Sequence, residues 1–144
     1  MDVIVKGVES VQEMEAVYSI RTQVFVEEQG VPREMELDPL DDTAFHAIAL
    51  QDGAAVGTGR LIMETVAQGT VGRMAVALSF RRRGIGARVL SFLEAEAQSQ
   101  GILRITLHAQ SYVKEFYARH GYREESEPFL EAGIQHVQMS KALT

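Results

Sequence analysis

The chain has 144 residues, 46% of them hydrophobic, so it is long enough to bury a core, and we expect one domain over residues 1–144. It has no cysteine, which excludes disulfides, thiolate metal sites and a cysteine nucleophile. DNA- and RNA-binding proteins are usually basic, so the net charge of −6 argues against a nucleic-acid partner. No segment approaches the roughly 18 apolar residues of a membrane span, and the N-terminus lacks a secretory pattern, which favours a cytoplasmic protein with no membrane partner.

The first third of the chain predicts a strand, a helix and an acidic loop. Residues 2–6 read as a short strand, and a Ser-x-x-Glu capping box at Ser10 begins a helix. Apolar residues then recur at helical spacing as far as Phe25. Residues 27–42 contain seven acidic side chains against one basic side chain, and we expect a loop there.

The rest of the chain alternates strands and helices. Strands are predicted over 44–51, 55–65, 70–78, 102–110, 122–127 and 135–142, helices over 84–100 and 112–120, and a loop over 128–133. The order β-α-β-β-β-α-β-α-β-β has a helix between its fourth and fifth strands, and such crossovers join parallel strands. The sequence therefore predicts an α/β fold with a mixed, mainly antiparallel sheet and helices on both faces.

Residues 81–87, Arg-Arg-Arg-Gly-Ile-Gly-Ala, stand between a predicted strand and the longest predicted helix. A helix N-terminus offers unpaired N–H groups, glycines let a phosphate approach the backbone, and arginines donate charged hydrogen bonds. The stretch predicts a pyrophosphate site formed by Arg81, Arg82, Arg83, Gly84, Ile85, Gly86 and Ala87. Its spacing fits neither a P-loop nor a dinucleotide fingerprint, which needs a third glycine where Val89 stands.

The pattern Arg81-x-x-Gly84-x-Gly86 resembles the acetyl-CoA pyrophosphate loop of the GNAT superfamily of N-acetyltransferases. The resemblance implies acetyl-CoA as co-substrate and transfer of its acetyl group to a primary amine of a small molecule, by direct attack through a tetrahedral intermediate. It also implies that the preceding strand binds the pantetheine arm through its main chain, with a bulge aiming an N–H at the thioester oxygen. The residues in those positions are Met74, Ala75 and Val76.

A second motif, Phe116-Tyr117-x-x-x-Gly121-Tyr122, is similar to the GNAT segment in which a tyrosine lies beside the sulfur of CoA. A phenol with a pKa of about 10 stays neutral and can protonate a departing thiolate. The resemblance therefore implies Tyr117 as general acid, with Phe116 and Tyr117 in contact with the cofactor. The alternative interpretation is aromatic packing between a helix and the sheet.

A general base is also needed, because an alkylamine with a pKa of about 10 is mostly protonated at neutral pH. The side chains that could take its proton are Glu28, Glu34, Glu36, Asp38, His108 and His136. A solvated acidic loop and histidines satisfied within the sheet are the alternative interpretations. The four histidines show no metal-ligand spacing, so no metal is expected.

A closer resemblance, to the ElaA/YjcF-type branch of GNAT proteins, extends roughly from residue 17 to residue 140. It is carried by Arg21 to Gln29, Glu36-x-Asp38, Ala109-Gln110 and Glu131 to Met139. This resemblance implies that Glu28, Gln110 and His136 face the acceptor pocket, where Glu28 and His136 are the candidate catalytic bases. Arg21, Glu36 and Asp38 are further candidates for binding the acceptor. Many GNAT enzymes have an asparagine on the strand where this chain has His108-Ala109-Gln110, so an asparagine contact is not expected.

The acceptor stays open between two classes of amine. The acidic segment favours a cationic amine such as a polyamine or aminoglycoside. An aminosugar phosphate instead needs a basic patch, to which Arg21, Arg33 and Arg60 could contribute. A non-catalytic CoA-binding or sensing module is the alternative to an enzyme, and the short chain without tryptophan disfavours an acyl-homoserine-lactone synthase. GNAT proteins often dimerise, which makes a homodimer one expected assembly.

Overall fold

The computed structural model describes residues 2–144. The strands in this range are β1 (Val3–Gly7), β2 (Phe45–Gln51), β3 (Ala54–Met63), β4 (Gln68–Val76), β5 (Arg104–Gln110), β6 (Arg123–Glu124), β7 (Phe129–Glu131) and β8 (Ile134–Ala142). The α-helices are α1 (Val11–Arg21), α2 (Arg33–Glu36), α3 (Ile85–Ser99) and α4 (Lys114–Arg119). The predicted succession of elements is confirmed, and α2 and β7 are additions to it.

The strands form one sheet in the order β1-β2-β3-β4-β5-β8-β6, and β7 pairs with β8. The pairing of β4 with β5 is parallel, while the remaining neighbours are antiparallel. Helix α3 forms the crossover between β4 and β5. The mixed, mainly antiparallel sheet predicted from the element order is thus confirmed.

Helices α1 and α3 cover opposite faces of this sheet. A Cβ atom at Gly59 of β3 would lie 2.9 Å from Leu93 and 3.1 Å from Val89, so α3 packs directly on the strand there. The next residue, Arg60, points to the other face, because side chains alternate along a strand. On that face Arg60 donates to Asp41, in the segment that follows α1.

The segment predicted as an acidic loop is more ordered than expected. After α1 the chain continues as a π-helical turn, Thr22–Glu28, and later forms α2 and a 3-10 turn, Pro39–Asp42. Arg21, at the end of α1, is fully buried and binds the carboxylates of Glu36 and Asp41. These ion pairs hold the segment against the end of α1. A count of acidic residues does not reveal such partners.

The predicted loop over 128–133 also contains a strand. β7 and β8 form a hairpin whose turn is Ala132 and Gly133, with φ values of 52° and 76°. Two-residue turns with positive φ favour Asn-Gly, Asp-Gly or Gly-Gly, and Ala-Gly does not carry that signal. The hairpin brings Glu131 next to β8.

The sheet opens between β4 and β5. Their pairing covers residues 68–70 and 104–106 and stops there, although β4 continues to Val76 and β5 to Gln110. The register of β4 against β3 shifts by one residue between Gly72 and Ala75, and Arg73 within this bulge has φ 51°. Beyond the last pair, β4 is hydrogen-bonded on its β3 side and faces a cleft on its β5 side.

Candidate active site

A cavity of about 400 Å³ lies where β4 and β5 part. Its walls come from β4 on one side, from β5, β7 and β8 on the other, and from α4 and the segment containing α2 at its ends. The predicted site residues that line it are Met74, Glu36, Gln110, Tyr117 and His136. Arg60, Arg73, His108 and Glu131 line it as well. The fold therefore brings Tyr117, from the second motif, and His136, from the C-terminal stretch, into one cavity.

Tyr117 lies on α4 and is 8% exposed. The ring packs edge-on against Phe116 and Tyr122, with centroid distances of 5.0 and 5.9 Å. Burial raises the pKa of Tyr117 to about 12, so the hydroxyl group keeps its proton across the neutral range. Tyr117 is therefore part of an aromatic cluster, and it lines the cavity as a protonated phenol.

His136, on β8, is 6% exposed. Its Nδ1–H donates to the backbone oxygen of Ile134 at 2.7 Å, which leaves the lone pair of the neutral ring on Nε2. Nε2 lies 3.7 Å from Glu131 Oε2. Glu131 in turn accepts a hydrogen bond of 2.8 Å from His108 Nδ1. Together these side chains form a proton acceptor with a carboxylate beside it.

Glu28, the other predicted base, is not among the residues that line the cavity. It accepts two hydrogen bonds of 2.7 Å from the guanidinium of Arg81. The hydrogen bonding from Arg81 lowers the pKa of Glu28 and so weakens it as a base. Arg81 Nε also donates to the backbone oxygen of Val76 at 2.9 Å. Glu28 and Arg81 thus link the π-helical turn to the end of β4.

The loop before α3 has a backbone suited to an anion. Arg82 and Gly84 are left-handed, with φ values of 65° and 78°, and the 15-residue α3 begins directly afterwards. Such turns can direct successive N–H groups to one side, next to the positive end of the helix dipole. A Cβ at Gly86 would lie 3.6 Å from Phe116 and 3.8 Å from Val76, so α3, α4 and β4 meet at this glycine.

Some of the remaining residues predicted to bind the cofactor lie at the protein surface, and others are buried in its core. Arg82 and Arg83 are exposed beside the N-terminus of α3, and Ala87 is half-buried in its first turn. The side chains of Ala75 and Ile85 are buried in the two hydrophobic clusters of the protein. For Ala75 and Ile85 this leaves the main chain as the part able to contact a ligand.

Arginines and carboxylates form a buried network next to the cavity. Arg21 donates to Asp41 at 2.9 and 3.0 Å and to Glu36. Arg60 donates to Asp41 and to Asp38, both at 2.8 Å. Burial raises the pKa of Asp41, but the hydrogen bonds from Arg21 and Arg60 outweigh it and hold that pKa below its usual value. Arg21 and Asp38, both predicted to bind the acceptor, are not brought to the cavity wall.

Two cavity residues, Glu131 and Arg73, were not selected by sequence reasoning. Glu131 belongs to the C-terminal stretch that carries the branch resemblance, so its acidic side chain five residues before His136 was an available signal. Arg73 follows Gly72 and is a charged residue in a strand whose other residues are uncharged. A charge and a glycine together inside a strand are typical of a bulge, and that combination could have identified it.

Within residues 2–144, no group of three or more His, Asp or Glu side chains is arranged to hold a metal ion. In the same range, no helix combines the length and the apolar character needed to cross a membrane.

Comparison with known proteins identifies the class that this fold and cavity define. Residues 8–143 match the family described as acetyltransferase (GNAT) domain. The chain therefore belongs to the GNAT acetyltransferase family, and it is an acyltransferase.

Individual relatives narrow the class to a branch. The uncharacterized N-acetyltransferase YjcF of Bacillus subtilis is 38% identical over 131 residues, which are 90% of this chain and 93% of YjcF. The crystal structure of an acyl-CoA N-acyltransferase from Pseudomonas aeruginosa matches with a TM-score of 0.83 at 29% identity, covering 98% of this chain and 99% of that one. Escherichia coli ElaA shares the fold with a TM-score of 0.86 at 23% identity, covering 97% and 99% of the two chains. The resemblance to the ElaA/YjcF-type branch is confirmed.

Proposed function

We propose that this protein transfers the acetyl group of acetyl-CoA to a primary amine of a small molecule by direct attack. The observation that carries the proposal is that a proton donor, Tyr117, and a proton acceptor, His136, line the same cavity. The reaction needs both, because the amine loses a proton and the departing sulfur gains one. The chain has no cysteine to form a thioester with the acyl group, which supports direct attack.

The residues around the cleft fit acetyl-CoA, which would supply the acetyl group as a reactive thioester. The left-handed loop at Arg82 and Gly84 offers backbone N–H groups and the N-terminus of α3 to a pyrophosphate. The side of β4 that faces the cleft, from Met74 to Val76, is suited to pair with the amide groups of a pantetheine arm. Arg81 is already paired with Glu28, and we assign it to holding this loop.

His136 and Tyr117 move the two protons of the reaction. His136 Nε2 takes a proton from the attacking amine, and Glu131 stabilises the charge that forms on the ring. The carbon–nitrogen bond forms first and gives the tetrahedral intermediate. Tyr117 then donates its hydroxyl proton to the sulfur as the carbon–sulfur bond breaks. Solvent then removes the proton from His136 and returns one to Tyr117. We assign the base to His136 rather than Glu28, because Glu28 is ion-paired and does not line the cavity.

Release of free thiol from acetyl-CoA across a panel of primary amines tests this proposal. The panel contains spermidine, glucosamine, glucosamine 6-phosphate and amino acids, with a control that lacks an acceptor. The protein contributes no thiol background, because it has no cysteine. We expect amine-dependent thiol release, together with an acetylated amine detected by mass spectrometry. Acetyl-CoA that binds in a calorimeter but reacts with no amine would count against catalysis.

A further inference from the structure

Arg73 occupies an unusual position in the cavity wall. It lies in the bulge of β4, and its left-handed backbone is uncommon for a residue with a side chain. A bulge re-aims the side chain that it carries, and here that side chain lines the cavity. Its Nη2 donates to the backbone oxygen of Glu36 at 3.2 Å. Its Nε is buried and has no hydrogen-bond partner in the part of the chain that the structure describes.

The carboxylates nearest to Arg73 already bind other arginines. Glu36 Oε1 lies 3.7 Å from Arg73 Nε, and Asp38 Oδ2 lies 3.6 Å from Arg73 Nη2, both beyond hydrogen-bond distance. These same two oxygens accept hydrogen bonds from Arg21 and Arg60. Burial, followed by repulsion from Arg60 and Arg21, lowers the pKa of Arg73. Within residues 2–144, the guanidinium of Arg73 therefore has carboxylates nearby but hydrogen-bonds none of them, and an added anion would supply that partner.

The acidic segment does not make this cavity anionic. Three of its carboxylates, all buried or half-buried, lie beside buried or half-buried guanidinium groups. The carboxylates are Glu36, Asp38 and Asp41, and the guanidinium groups are Arg21, Arg60 and Arg73. The sequence favoured a cationic acceptor because the segment has many acidic residues. That reason no longer applies, because the carboxylates next to the cavity are paired with arginines. Arg73 lines the cavity from β4, and Glu131 and His136 line it from β7 and β8.

We propose that Arg73 binds an anionic group of the acceptor, so that the acceptor is a primary amine that also carries a carboxylate or a phosphate. The inference rests on the proposed function, since it places the amine at His136 and the anion at Arg73 within one cavity. Arg73 thereby selects the substrate, while the proton transfers stay with Tyr117 and His136.

Matched pairs of amines test the selection by Arg73. One pair is 3-aminopropyl phosphate and 3-aminopropanol, and the other is 4-aminobutyrate and butylamine. We expect wild-type kcat/KM to favour the anionic member of at least one pair by about tenfold to a hundredfold, the range for a hydrogen bond between charged groups. We expect Arg73→Gln to abolish the preference and Arg73→Lys to restore part of it. The exposed Arg123→Gln is the control and keeps the wild-type preference.

Equal use of both members of each pair overturns the inference, as does an Arg73→Gln variant that slows both members alike. A preference in the first pair alone indicates that Arg73 binds a phosphate, and a preference in the second pair alone indicates a carboxylate. Calorimetric titration of the two anionic amines into CoA-saturated protein separates this inference from the proposed function. Binding that Arg73→Gln abolishes, without thiol release from any amine, supports the anion site and contradicts catalysis. Thiol release from neutral amines, with no binding of either anion, supports catalysis and contradicts the anion site.

Discussion

Tyr117 and His136 acquire their proposed roles from their surroundings. Burial keeps the phenol of Tyr117 protonated, and the backbone oxygen of Ile134 fixes the tautomer of His136. Neither property depends on the residue type alone, because tyrosine and histidine elsewhere in this chain, such as Tyr112 and His108, are exposed.

Tyr117→Phe removes the proton donor and keeps the ring that packs against Phe116 and Tyr122. We expect kcat to fall by about a hundredfold or more, the usual contribution of a positioned acid. The affinity for CoA, measured by calorimetry, should stay close to that of wild type. A variant that loses CoA binding together with turnover would show that Tyr117 acts through packing.

His136→Gln and Glu131→Gln test the base and its carboxylate. We expect His136→Gln to lower kcat by about a hundredfold or more, because the amine loses its proton acceptor. Glu131→Gln should cause a smaller loss, because it removes only the charge beside the ring. Glu127→Gln, at an exposed glutamate of the same segment, is the matched control. If Glu127→Gln and Glu131→Gln have equal kinetics, Glu131 has no part in proton transfer.

At the scale of elements, the start of α3 decides whether a pyrophosphate can bind. Gly84→Asp places a carboxylate at this N-terminus and strains a left-handed backbone, so we expect calorimetry to show no CoA binding. Gly101→Asp is the matched control at the other end of α3, because Gly101 is also left-handed and a Cβ there also touches nothing. The left-handed backbone costs each variant about 1 kcal/mol of stability, and the helix dipole offsets part of that cost at Gly84 but not at Gly101. CoA binding retained by Gly84→Asp would place the phosphate site elsewhere.

Local sequence signals predicted the elements well where the pattern was strong. The apolar stripe and closing Gly101 predicted a helix over 84–100, and α3 spans Ile85–Ser99. β7 was missed because its turn contains Ala132, which adopts positive φ without the residue type that usually indicates it. α2 was missed because Arg21, 15 residues before Glu36, supplies the ion pair that orders the segment. The two motifs predicted the region of the site. The position of Arg73 in the cavity wall was not predictable in the same way, because it depends on the bulge in the pairing of β4 with β3.

At the scale of the whole molecule, the buried ion network joins α1, the α2 segment and β3. We expect Asp41→Asn to cost about 3–5 kcal/mol at neutral pH, because it leaves Arg21 with Glu36 alone and Arg60 with only the half-buried Asp38. Asp42→Asn, at the exposed neighbouring aspartate, is the control and should cost little. Urea denaturation of the three proteins measures the difference, and equal stabilities would contradict a structural role for the network.

The same network predicts sensitivity to acid. The pKa of Asp41 is lower in the folded protein than its usual 3.8, so its stabilising contribution is complete above that value. Below it, the unfolded chain takes up protons first, and the free energy of unfolding falls with falling pH. Denaturation between pH 7 and pH 3 should show this decline in wild type and a weaker one in Asp41→Asn. A decline of equal slope in both would assign the acid sensitivity to other groups.

The cytoplasmic location and the homodimer remain predictions from the sequence. Membership of the family defines the type of reaction, whereas the identity of the acceptor is a proposal. The central claim is that acetyl-CoA enters the cleft between β4 and β5. A crystal structure of the protein with CoA tests this most directly. We predict the pyrophosphate at the loop before α3, the pantetheine arm along β4 from Met74 to Val76, and the sulfur beside the Tyr117 hydroxyl. CoA bound outside this cleft, or with its sulfur away from Tyr117, would contradict the account.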